Sequence, residues 1–178
     1  MGRHEEAIAE IDRAHELDPQ SPLVSYMKAY ILFYARKYER SIEQCQKMIE
    51  MDPNYALPYT GLGKAYLQKG MYDEAILALQ KAGNDSYLGL AYGLEGKRNE
   101  ALGIFEEMVK QWSRGNSRAS PITRIYFGLA ENDLALDWLE NSFERNEPRM
   151  IELKVDPFYD SLRSHPRFKA FLKKMNLE

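Results

Sequence analysis

The sequence is poor in reactive side chains. It holds one cysteine and three histidines among 178 residues. One cysteine excludes an internal disulfide. Cys45 lies in the apolar stripe of SIEQCQKMI, where it reads as a small buried hydrophobe rather than a catalytic thiol. His4 and His15 fall on one helix but eleven residues apart, too far for a two-histidine zinc pair, and the sequence places no third ligand. His165 reads as a helix cap. Long apolar runs are also missing. None approaches the ~18 residues of a membrane span, and Arg3, His4, Glu5 and Glu6 interrupt any apolar stretch near the start. Charge of one sign is scarce: a net −3 offers no general attraction to phosphate backbones or anionic lipid. Neither nucleic acid nor membrane is therefore an expected partner. GLGKAYLQKG has the glycines of a phosphate loop but reads as helix interior. Glu5/Glu6 and Glu106/Glu107 fall on solvent faces, and no serine has a paired histidine at a recognisable spacing. No enzyme activity, cofactor or metal is expected. The compartment is left open, with the cytoplasm favoured.

What the sequence does contain is a repeat. It is 44% hydrophobic and 29% charged, enough for a packed core beneath a charged surface. LDP ends at Pro19 and MDP ends at Pro53, 34 residues on. Ala7, Ser41 and Ala75 share that spacing, as do Gly2 and Arg36, and Ala29 and Gly63. The clearest unit is YTGLGKAYLQKGMYDEAILALQKA, in which Tyr59, Leu62, Gly63, Tyr66, Gly70, Tyr72, Ala75, Leu79 and Ala82 are in phase. Leu62, Gly63 and Tyr66 share one face of a first helix, A. Ala75, Leu79 and Ala82 share one face of a second, B. Gly63 and Ala75 are small enough for the two helices to approach, and Gly70 permits a tight turn between them. Such a pair cannot bury its faces alone, so neighbouring pairs must stack.

The pattern resembles the tetratricopeptide repeat, with tyrosine in place of the leading tryptophan and leucine in place of the later aromatic. The resemblance implies an all-α fold, a right-handed α-solenoid of helix-turn-helix repeats. The expected organisation is an array over residues 1–145 and a C-terminal capping segment over 146–178. The array divides into a half repeat at 2–19 and repeats at about 22–53, 56–82, 85–112 and 117–145. The junction between 56–82 and 85–112 is eight residues short of the period. GRHEEAIAEIDRAHELDP, from Gly2 to Pro19, reads as a helix B whose helix A is absent, so the chain is expected to be the C-terminal part of a longer protein. Repeat two departs from the pattern at Lys28, Arg36 and Ser41, which replace the usual leucine, glycine and alanine. SRGNSRAS, residues 113–120, is expected to be a mobile surface connection.

After Arg145 the period stops. Asp156-Pro157 and His165-Pro166 predict a short helical turn over 157–162 and a longer helix over 166–175. Phe168, Phe171, Leu172 and Met175 give the latter an apolar face suited to covering the end of a solenoid. The end of the chain also resembles the C-terminal ends of repeat segments in bacterial multidomain regulators: winged-helix transcriptional regulators, serine/threonine kinases and adenylate cyclases. Trp138, Leu139, Glu140, Pro148, Leu153, Val155, Asp156, Pro157, Leu162, Arg163, Pro166, Arg167 and Phe168 carry that likeness. It implies an attached effector domain, none of whose motifs occurs in this chain.

The expected function is non-enzymatic protein–protein interaction, with a protein or peptide bound in a concave groove lined by the A helices. The candidate lining is Tyr26, Tyr30, Phe33, Tyr34, Thr60, Lys64, Leu67, Tyr87, Leu90 and Arg124. Leu23 and Leu57 fall at the same kind of position. The aromatic set suits recognition, since rings supply contact area at low entropic cost. The alternative occupant of this face is the tail or another part of the parent protein. Only Lys64 and Arg124 sit near the positions of a carboxylate clamp, without an asparagine, so that mode is not supported. Two other readings are a mainly structural, self-associating segment and the regulatory part of a DNA-binding protein. Self-association is expected through Ala7, Ile8, Ile11 and Ala14 of the first helix, as a homodimer.

Overall fold

A computed structural model describes residues 3–115, 119–147 and 150–177. Gly2, Pro148 and residues 116–118 of the expected mobile connection lie outside the described residues. Among the described residues the regular structure is all helical: α1 His4–Leu17, α2 Pro22–Tyr34, α3 Tyr38–Met51, α4 Ala56–Gln68, α5 Tyr72–Ala82, α6 Asp85–Glu95, α7 Arg98–Ser113, α8 Ser120–Gly128, α9 Asn132–Glu144 and α10 Pro166–Lys174. Two 3-10 segments, Met150–Lys154 and Pro157–Leu162, precede α10. The chain divides into two compact units, Met1–Asn84 and Asp85–Glu178.

In the first unit, successive helices from α1 to α5 pack on one another, and α4 also meets α2. Pro22 opens α2, where Ser21 accepts a hydrogen bond from the Val24 amide at 3.4 Å. The departures of repeat two find local reasons here. Ser41 is fully buried and donates its hydroxyl to the Ala29 carbonyl at 2.9 Å, so the small polar residue ties α3 to α2. Lys28 turns towards α1 and pairs with Asp12 at 2.9 Å, while Arg40 of α3 reaches the same carboxylate at 3.5 Å. The Lys28 hydrogen bond is the main reason the Asp12 carboxyl is held below its ordinary range. Gly63 packs against Leu79: a Cβ on Gly63 would meet the Leu79 Cγ at 2.5 Å. Helix α5 ends at Ala82, with Gly83 left-handed at φ 61°.

The second unit is built from α6 to α10. Helices α6 and α8 cross closely, with Gly93 facing Gly128. Phe105, Trp112, Tyr126 and Trp138 form an edge-to-face group, with the two indoles 5.0 Å apart. The tail folds onto α9. Leu153, Tyr159, Leu162, Phe168 and Phe171 share one buried cluster with Leu136 and Leu139. Asp156 caps the second 3-10 segment by accepting from the Phe158 amide at 3.0 Å. Arg167 clasps Glu140 with two hydrogen bonds of 3.0 Å and also binds Asp137. His165 begins α10, but its side chain makes no capping hydrogen bond.

The turn between paired helices requires a left-handed residue. Gly70 and Gly96 adopt φ 72° and 86°, whereas Arg36 and Ala130 adopt 60° and 59° at the same turn. A side chain in that region costs about 1–2 kcal/mol. Arg36 recovers part of this by donating to the Tyr34 carbonyl at 2.9 Å. Ala130 has no such side chain, so Ala130→Gly is expected to stabilise the second unit by about 1 kcal/mol. A higher denaturant midpoint of tryptophan fluorescence reads this, because Trp112 and Trp138, the only tryptophans, both lie in that unit. An unchanged or lower midpoint would contradict the assigned strain.

Candidate protein-interaction face

In the first unit, α2 and α4 bring their shared face together around Lys64. Its ammonium lies 4.3 Å from the Phe33 ring centre, 5.0 Å from Tyr34 and 5.5 Å from Tyr30. Tyr30 and Tyr34 sit 4.6 Å apart, and Phe33 meets Tyr34 edge to face at 5.4 Å. Aromatic faces stabilise a cation most where water is thin, and Lys64 is only 8% exposed. Phe33, Tyr34, Lys64 and Leu67, expected to line an open groove, are therefore buried. The lysine is inserted among rings of the neighbouring repeat rather than held out to solvent. Tyr26, Tyr30 and Thr60 are half-buried, and the Thr60 hydroxyl accepts from the side-chain Nδ2 of Asn84 at 3.4 Å.

Exposure rises towards the helix starts. Leu23 on α2 is 68% exposed and Leu57 on α4 is 43% exposed. They are one 34-residue period apart, so they occupy the same position on adjacent A helices. Together with Tyr26 and Tyr30 they leave an apolar strip at the edge of the buried ring cluster.

The second unit uses the corresponding positions differently. Arg124 lies over the Tyr87 ring at 4.5 Å and donates to the Ser86 hydroxyl at 3.2 Å, which in turn donates to the Pro121 carbonyl at 2.8 Å. Phe158 of the tail packs on Tyr87 at 5.4 Å. Tyr87 and Leu90 are buried, and Arg124 is half-buried. The tail thus covers part of the face expected to be open. Coverage by the tail was one of the alternatives the sequence left open for this face, and at Tyr87 it is the one observed.

On α1, Ile8 is buried, while Ala7, Ile11 and Ala14 are half-buried. Cys45 is fully buried. Desolvation pushes its thiol up to about 12, with the Lys64 charge acting weakly the other way, so it is a packing residue. No cluster of metal-ligating side chains occurs among the described residues. None of the described helices is long and apolar enough to cross a membrane.

Comparison with known proteins agrees with this architecture. Residues 32–87 match the tetratricopeptide repeat family model. The STIP1 homolog of Dictyostelium discoideum is 35% identical over 85 residues, 44% of this chain and 15% of that protein. The chain spans under a quarter of the length of the curated relatives it matches. Among solved structures, TTC0263, a thermophilic tetratricopeptide repeat protein of Thermus thermophilus, superposes with a TM-score of 0.65 at 22% identity, covering 90% of this chain and 91% of that one. YrrB, described as a repeat protein with an unusual peptide-binding site, superposes with a TM-score of 0.54 at 20% identity, covering 94% and 92%. Helix pairing and structural likeness coincide: the chain has the α-solenoid fold of tetratricopeptide repeat proteins, and its residues 32–87 match the model of that repeat.

Proposed function

We propose that this chain is a non-enzymatic interaction segment of a larger regulatory or signalling protein, and that it holds a peptide or partner helix along the α2/α4 face of its first unit. The observation that carries the reading is the pair Leu23 and Leu57, one period apart and both left to solvent beside half-buried Tyr26 and Tyr30. Ligand side chains spaced to meet successive repeats would cover that strip and bury apolar area at roughly 25 cal/mol per Å². The buried Lys64 and its rings give the strip a rigid floor, which lowers the ordering cost of binding. Selection of random peptides displayed on phage tests the reading. Enrichment of related sequences, with amide shift changes on α2 and α4 when one is added, is the expected result. No enrichment, or shifts confined to other helices, would contradict it.

A second reading is self-association through α1. Ala7, Ile11 and Ala14 remain partly exposed although α1 packs on α2, and Leu17 at its end is almost fully exposed. Two copies joined at these positions would bury more of them. Sedimentation at micromolar concentration is expected to show a dimer that Ile11→Asp returns to monomer. A monomeric wild-type chain would remove this reading without touching the first.

A further inference from the structure

A cavity of about 470 Å³ opens in the first unit between the start of α2 and the end of α3, lined by Pro22, Ser25, Met48, Met51, Asp52 and Tyr55. It shares no residue with the strip proposed above. Its lining includes a departure from the repeat. Ser25 lies one 34-residue period before Tyr59, so serine stands in repeat two where tyrosine stands in repeat three. Tyr59 fills its own position: its hydroxyl donates to the Pro53 carbonyl at 3.1 Å, and Lys81 lies 5.5 Å from its ring. The partners repeat with the period. Pro19 and Lys47 stand 34 residues before Pro53 and Lys81. Repeat two thus has the same proline and lysine at the same spacing but lacks the ring, and Ser25 lines the cavity in its place.

We propose that this cavity is a binding site for an aromatic side chain of a protein partner, of tyrosine size and carrying a hydrogen-bond donor. Its volume falls within the roughly 300–1,000 Å³ of small-ligand pockets. Met48 and Met51 supply flexible thioether walls that adapt to an aromatic ring. Met51 is well exposed, so the site is reached from solvent without opening the core. Asp52 lies at its wall as an acceptor, which matches a phenol or indole donor and disfavours an acidic residue beside the ring. One Asp52 oxygen accepts from the Asn54 amide at 3.0 Å, which holds the carboxylate in place.

The test uses the whole chain with 13C-methyl methionine, titrated with N-acetyl-tyrosinamide and, separately, N-acetyl-leucinamide. The tyrosine compound is expected to shift the Met48 and Met51 methyl signals saturably, with roughly millimolar affinity set by its few contact atoms. Met71, outside the cavity, is expected to stay in place. Ser25→Tyr supplies the missing ring from within and is expected to abolish the response. Met51→Ala, an exposed change, is expected to weaken the response of Met48 severalfold, and it carries the test if Ser25→Tyr fails to fold. No saturable shift up to about 20 mM would overturn the proposal. So would an equal response to the leucine compound, or an unchanged response in both variants.

Discussion

Gly128→Ala is expected to lower the stability of the second unit by roughly 3 kcal/mol, at the upper end of overpacking costs. A Cβ on Gly128 would lie 2.5 Å from the Leu90 carbonyl oxygen and 3.2 Å from the Gly93 Cα. One on Gly93 would lie 2.6 Å from the Gly128 carbonyl carbon. These neighbours are backbone atoms of α6 and α8, so no side chain can rotate aside to make room. The helices would have to separate, and the core beneath them would loosen with them. Gly103 on α7 is the control, because nothing stands within 4 Å of its would-be Cβ. Gly103→Ala removes a flexible residue from a helix interior and is expected to stabilise by about 0.5–1 kcal/mol. Urea unfolding followed by tryptophan fluorescence compares the two. Equal effects, or a tolerated Gly128→Ala, would contradict the close crossing.

Phe168→Ala is expected to cost about 3–5 kcal/mol in the same unit. Phe168 is fully buried, lies parallel to Tyr159 at 5.9 Å, and joins the cluster with Leu136 and Leu139 of α9. Truncation leaves a hole bounded by helices α9 and α10, whose positions are fixed by the Arg167 clasp on Glu140. The site therefore collapses poorly, which is the condition for a large loss. Faster proteolysis within 150–177 should accompany the lower midpoint. A variant with wild-type midpoint and wild-type protease resistance would show that the tail adds nothing to the unit.

These effects differ in how readable they were from sequence. The 34-residue period and the phased glycines and alanines pointed to paired helices, because a packing rule within each pair repeats identically. The Gly93–Gly128 contact was not legible. It joins helices of different pairs, and its two glycines hold no matching place in the repeat. Ser25 went unremarked among the departures of repeat two, since a missing side chain leaves no trace in a hydrophobic pattern. Lys64 was assigned to the correct helix face but not to burial. Periodicity tells which way a side chain points, and the aromatic rings that receive it come from another repeat. Met150–Lys154 was missed because neither a capping residue nor an apolar rhythm marks a short 3-10 segment.

The central claim is that the α2/α4 face of the first unit binds the partner. Its most direct test is the affinity of a phage-selected peptide for the wild-type chain and for Leu23→Ser/Leu57→Ser. Both leucines are exposed, so the double variant should keep its helicity and unfolding midpoint. A loss of affinity of about tenfold or more, equivalent to about 1.4 kcal/mol or more, is expected. Equal affinity in a fully folded double variant would contradict it.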